Sequence, residues 1–200
     1  VKFDKLSEKA KERARQDYRE TGMDYEWWDA VYEDAKEILQ MLGFCHIDIN
    51  FSGFWSQGDG ACFTGDWGAD DVKVGKVAEH APKDEKLHAI AAVIEEAGIR
   101  WQTVVALDPD TELLVPGASL RHHGSYCHEH TVTIDTADFF EVDEEPFVEA
   151  CRDLMRWIYK QLEAEYDYLT SDETIDDNIR ANEWEFTKDG EFLPAKRRAA

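Results

Sequence analysis

Between Ile47 and Trp67 the chain reads Ile-Asp-Ile-Asn-Phe-Ser-Gly-Phe-Trp-Ser-Gln-Gly-Asp-Gly-Ala-Cys-Phe-Thr-Gly-Asp-Trp, and no other stretch constrains the fold as much. Apolar and polar side chains alternate at Ile47, Ile49 and Phe51 and again at Ala61, Phe63, Gly65 and Trp67, the period of two expected of half-buried strands. Ser56-Gln57-Gly58-Asp59-Gly60 between them is a turn whose glycines are free to take positive φ. The segment is therefore expected to be a β-hairpin with a polar tip. Gly53 breaks the alternation beside Phe54 and Trp55, which points to a bulge that re-aims two large rings.

Periodicity places helices on both sides of this hairpin. Leu6, Ala10, Ala14 and Tyr18 recur every four residues over 4–20, a narrow apolar stripe that Gly22 is expected to end. Asp24 is a candidate cap for a second helix carrying Trp28, Val31, Tyr32, Ala35, Ile38, Leu39 and Leu42 on one face, with Gly43 as its stop. Residues 68–83 read as an irregular link. A third helix follows Pro82 and Asp84 through Leu87, Ile90, Ala91 and Ile94 to about Gly98. The β-branched content of 99–107 leans to strand, and Asp108-Pro109-Asp110 to a turn.

A second hairpin is expected over 113–135, turning at His122-His123-Gly124, with Tyr126, His128, His130, Val132 and Ile134 on one face of its outgoing strand. Pro146 opens a long fourth helix with Phe147, Cys151, Leu154, Met155, Ile158, Leu162 and Tyr166 inward. Thr170 with Glu173 suggests a capping box for a short fifth helix, and Trp184 and Phe186 a final strand. The expected fold is a single α+β domain over 1–195, an antiparallel sheet built from hairpins and packed by about five helices, with residues 196–200 as a basic disordered tail.

Charge narrows the function classes. The formal charge is −22, from 44 acidic and 22 basic residues, and 138–189 alone holds 17 acidic against 5 basic. Direct binding to a nucleic-acid backbone needs cationic side chains facing phosphates, so it is not expected; a basic protein partner is. Cys45, Cys62, Cys127 and Cys151 form no CxxC pair and read as reduced thiols. No apolar run approaches membrane-spanning length and no signal-peptide pattern opens the sequence, so a cytoplasmic protein without membrane association is expected.

Phe54-Trp55-Ser56-Gln57-Gly58-Asp59-Gly60-Ala61-Cys62-Phe63, with Glu26-Trp27-Trp28-Asp29, Arg156-Trp157-Ile158-Tyr159-Lys160-Gln161-Leu162-Glu163 and the run from Tyr166 to Ser171, resembles a family of phage and prophage proteins. Some of these are labelled antitoxins of toxin–antitoxin stability systems. The resemblance implies a phage or prophage context; joined to the acidic charge, it leads to the expectation of an acidic binding protein that neutralises a toxin or a host nucleic-acid-binding or defence protein by stoichiometric occlusion. The residue types suit that role: Trp27, Phe54, Trp55, Tyr159 and Tyr166 as aromatic anchors, and Ser56, Gln57 and Asp59 as orienting hydrogen-bond groups.

Two other classes remain open. A small hydrolase or nucleotide-modifying enzyme would draw on the 52–63 loop and the 122–130 histidines, although no GxSxG elbow, P-loop or dinucleotide fingerprint is present. A nucleic-acid mimic would line up carboxylates along the fourth and fifth helices. No cofactor is called for; a metal ion has its best opening at His128 and His130, which an extended strand would project from one side.

Overall fold

The computed structural model describes residues 1–23, 25–107, 117–136 and 144–193. The expected Asp24 cap, the 108–110 turn, the start of the second hairpin at 113–116 and the 196–200 tail lie outside the described residues. The fold class is α+β with an antiparallel sheet. Six α-helices are described: α1 Glu8–Thr21, α2 Asp29–Met41, α3 Val74–His80, α4 Glu85–Leu107, α5 Glu145–Leu169 and α6 Asp172–Ala181. None of the described helices is long and apolar enough to cross a membrane. Residue contacts gather into two compact units, Ala30–Glu163 and Val1–Asp29 with Ala164–Ala200.

The larger unit is built on a four-stranded antiparallel sheet in the order β1 (Leu42–Phe51), β2 (Ala61–Val72), β3 (Gly117–His122) and β4 (Val132–Asp135). The Ile47–Trp67 hairpin forms as its alternation predicts, ending on the pair Phe51–Ala61. The β1–β2 register shifts between Cys45 and Asp48, where His46 takes φ 52°, a left-handed conformation that a bulge accommodates. Along β2, Ala61, Phe63, Trp67 and Ala69 are buried on one face. Phe44 meets Phe63 edge-on with centroids 5.1 Å apart, and Trp67 meets Phe147 of α5 at 4.5 Å. The Trp67 indole N–H donates to the Leu42 carbonyl at 2.9 Å, so this buried polar atom is satisfied.

Leu87, Ile90, Ala91 and Ile94 are buried along α4, which packs on β2, and Leu154, Met155 and Ile158 are fully buried along α5. Each of these Leu, Ile and Met side chains contributes roughly 1.5–3 kcal/mol by leaving water. Asp84 joins the two helices: one carboxylate oxygen caps α4 by accepting the Leu87 N–H at 2.9 Å, and the other accepts the Trp157 indole N–H at 2.6 Å.

Three expectations are corrected. Residues 99–107 are helical, continuing α4, because tertiary anchors outweigh β-branched propensity. Trp101 is buried, Gln102 donates to Asp70 at 3.0 Å, Thr103 bonds back to the Ile99 carbonyl at 2.9 Å, and Arg100 pairs with Glu96. Residues 68–83 are not an irregular link: β2 runs on to Val72, held by Leu42 and Gly117, and α3 follows, tied to α2 by His80 and Asp34 at 2.7 Å. The outgoing strand of the second hairpin begins only at Val132, after a 3-10 turn at Glu129–Thr131.

The smaller unit gathers α1, α6, the two-stranded pair β5 (Glu185–Phe186) and β6 (Phe192–Leu193), and a 3-10 turn at Phe3–Lys5. The four-residue stripe of α1 is its core: Leu6, Ala10, Ala14 and Tyr18 pack with Phe3, Ile175, Ile179 and Phe186. Ser7 caps α1 and Gly22 ends it. Ser171, one residue past the expected Thr170, caps α6 through the Thr174 N–H. Arg15 grips Asp176 through two bonds of 2.7 and 2.8 Å, which holds its guanidinium above its ordinary pKa against the opposing effect of burial.

Candidate functional site

The β1–β2 connection is a structured loop. The Ser52 N–H donates to the Gly60 carbonyl at 3.1 Å and closes its base. Within it, one oxygen of Asp59 accepts the backbone N–H groups of Trp55 at 2.9 Å and Ser56 at 2.6 Å, and the Asp59 N–H returns to the Ser56 carbonyl at 3.1 Å. This is the turn chemistry that Asp supplies through its short side chain. Gly58, at φ 91°, turns the tip.

The rings beside the bend at Gly53 separate by exposure. Phe54 is half-buried, with centroids 5.7 Å from Phe51, 5.8 Å from Trp55 and 5.5 Å from Tyr159 on α5. Trp55 is 78% exposed, and Ser56 and Gln57 are exposed beside it. Burial, with Glu163 and Asp59 nearby, raises the Tyr159 hydroxyl above its ordinary pKa, so it stays a neutral donor. Of the expected anchors, the structure thus joins Phe54, Trp55 and Tyr159, with Asp59 as the brace beneath them. Trp27 and Tyr166 form a second aromatic group in the smaller unit, 5.5 Å apart, with Trp28 edge-on to Trp27 at 5.6 Å.

The β3–β4 connection packs against this loop. A Cβ placed on Gly58 would lie 3.5 Å from the Tyr126 ring, and one on Gly60 would lie 3.0 Å from the Cys127 carbonyl oxygen and His128. Ser52 Oγ donates to that same carbonyl at 3.3 Å. Tyr126 is 58% exposed, which adds a second accessible ring to the surface. The connection is held internally by Thr131 Oγ1, which accepts the His128 N–H at 3.1 Å and lies 2.8 Å from the Tyr126 and His128 carbonyls.

His128 and His130 therefore come together, though not as neighbours on a strand face. Their rings stack at 5.4 Å around the 3-10 turn; His128 Nδ1 accepts the His130 N–H at 3.3 Å and lies 3.1 Å from a Glu129 oxygen. A second group was not foreseen. Cys62, His122 and Cys127 bring their donor atoms within 4.8 Å of one another. Burial first, then the neighbouring Cys127, pushes the Cys62 thiol up to about 12, and burial likewise raises the hydroxyl of Tyr32, which adjoins both cysteines. Cys62 and His122 stand 60 positions apart in the sequence, which hides this proximity from any local motif.

Among the described residues, no histidine is bonded to Ser56, whose N–H and carbonyl serve the turn, and Asp59 is committed to the same turn. Cys62 has a raised rather than lowered pKa, the opposite of an activated nucleophile. No curated protein and no solved structure matches the chain. A family model does, over residues 27–172, the span from Trp27 through both hairpins and α5. That match covers more than half of the chain, which therefore belongs to the family described as Domain of unknown function (DUF8835).

Proposed function

We propose that this protein works by binding, occluding a basic surface on a toxin or host protein in a one-to-one complex. The observation that carries the proposal is the 78% exposure of Trp55 on a loop braced by Asp59 and backed by Phe54 and Tyr159. A large ring held in place beforehand loses little freedom on binding, and tryptophan is the residue most often found at energetic centres of interfaces. Ser56 and Gln57 are exposed next to it in the chain, and Tyr126 packs over Gly58 of the same loop. The charge of −22 supplies long-range attraction for a cationic partner, and with it salt dependence. The resemblance of 54–63 to phage and prophage proteins supports a toxin or a host nucleic-acid-binding or defence protein as that partner.

The nucleic-acid mimic is the weaker reading, because α6 offers few free carboxylates: Asp172 pairs with Arg15 and Arg19, Asp176 with Arg15, and Asp177 with Arg180. The hydrolase reading gains from the approach of the 122–130 segment to the loop, but among the described residues no histidine is bonded to Ser56. The test is affinity capture from host lysate at low and high salt with wild-type and Trp55→Ala protein. Recovery of a basic protein at equal stoichiometry by the wild type, lost with Trp55→Ala, is the expected result. A captured protein indifferent to Trp55 and to salt would refute the proposal.

A further inference from the structure

The Cys62, His122 and Cys127 group is not used by the binding surface. Cys62 is the second residue of β2, paired with Asn50 and buried; His122 is the last residue of β3; Cys127 lies in the connection that follows. Three segments of chain thus deliver two sulfurs and an imidazole to one place, with donor atoms no more than 4.8 Å apart. Around tetrahedral zinc, with Zn–S of about 2.3 Å and Zn–N of about 2.0–2.1 Å, such atoms stand roughly 3.5–3.8 Å from one another. Closing from one spacing to the other needs about an ångström of movement. His122 is exposed and Cys127 half-buried, so side-chain rotation supplies it.

The hydrogen bonding of His122 fixes which of its ring nitrogens is open to an ion. His122 Nε2 lies 2.7 Å from the Tyr126 carbonyl, a contact that requires the proton on that nitrogen and leaves the lone pair on Nδ1. Metal-binding histidines are held in this way, by a backbone acceptor at the ring nitrogen that does not bind the ion. Both cysteines are free thiols. The His128, Glu129 and His130 group fits an ion less well, because His128 Nδ1 already accepts the His130 N–H and faces Glu129.

We propose that Cys62, His122 and Cys127 bind one zinc ion, with water in the fourth position. Sulfur and imidazole donors in a small tetrahedral cage select zinc over oxygen-loving cations. The ion joins the 123–131 connection to β2 and so holds the Tyr126 ring over Gly58 of the β1–β2 loop. The site stands whether or not the protein binds a basic partner.

The test is elemental analysis of the 200-residue chain purified without chelator, followed by Co²⁺ titration of the stripped protein. The expected results are one zinc per chain and, with cobalt, the visible absorption of a tetrahedral site together with a thiolate-to-cobalt charge-transfer band. Cys62→Ser and Cys127→Ser each weaken or abolish that band, and His122→Ala lowers cobalt affinity by about tenfold or more, since even partners outside the ligand set change affinity by that much. Cys62 is buried, so Cys127→Ser and His122→Ala decide the matter if Cys62→Ser does not fold. A folded wild-type protein that gives no thiolate band, a Cys62–Cys127 disulfide in freshly isolated protein, or a cobalt signal lost with His128→Ala and retained with His122→Ala would overturn the proposal.

Discussion

Asp59→Ala tests the idea that the β1–β2 loop is ordered before it meets a partner. One carboxylate oxygen accepts two N–H groups, from Trp55 and Ser56, at 2.9 and 2.6 Å. A hydrogen bond to a charged group contributes roughly 1.5–3 kcal/mol net in a protein; these are partly solvated, so about 2–3 kcal/mol for the two together is the reasonable sum. At 1.4 kcal/mol per tenfold, local opening of the loop should rise by about 30- to 150-fold. Amide hydrogen exchange reads this directly: Trp55 and Ser56 should lose protection by that factor, while the β1–β2 ladder around Phe63 stays unchanged. Asp59→Asn keeps an acceptor without the charge and should fall between. Unchanged exchange at Trp55 and Ser56 in Asp59→Ala would refute the reasoning, because the loop would then owe its order to something else.

Other perturbations probe the frame and the packing of the two connections. Trp67→Phe leaves the Leu42 carbonyl without its indole donor in a buried setting and should cost about 1–3 kcal/mol in denaturant unfolding. Gly60→Ala sets a Cβ 3.0 Å from the Cys127 carbonyl and should cost about 1–3 kcal/mol while moving the Tyr126 and Cys127 resonances in an NMR spectrum. His80, bonded to Asp34, has its pKa raised above 6.5, so the stability it contributes is fully present below 6.5 and is lost as pH rises through the folded value. The pair is partly exposed, which limits the effect to under about 1 kcal/mol; NMR titration of His80 in wild-type and Asp34→Asn protein checks the shift, which should shrink in the variant, where only Glu37 at 3.9 Å remains to support it.

Local periodicity made much of the fold legible. The four-residue stripe of α1 is buried, as are Ala35, Ile38 and Leu39 of α2, Phe147, Cys151, Leu154, Met155, Ile158 and Leu162 of α5, and Ile49, Ala61, Phe63 and Trp67 of the first hairpin, because burial acts on every turn or every second residue. Leu42 and Gly43, expected to end the second helix, instead open β1. The misreadings occurred where distant groups override local preference. Val104 and Val105 favour strand by composition, yet Trp101, Gln102 and Arg100 anchor the same segment as helix. Alternation counted through His128 and His130 ran across a turn that Thr131 stabilises with its own hydroxyl. The aromatic surface was half legible. The Phe54-Trp55 pair stands out in the sequence, but its backing by Tyr159 joins residues over a hundred positions apart, and no spacing rule reaches that far. Asp59 was read as a surface hydrogen-bond group and is the internal brace of its loop.

In the binding function proposed above, Trp55 anchors a surface steered by charge. The most direct measurement of that role is the dissociation constant of the captured basic partner for wild-type and Trp55→Ala protein across a salt series. A well-seated interfacial tryptophan is worth about 2 kcal/mol or more, so the substitution should weaken binding by about 30-fold or more at every salt concentration. The wild-type affinity should itself fall steadily as salt rises. Equal affinities for the two proteins, or an affinity unmoved by salt, would contradict the account.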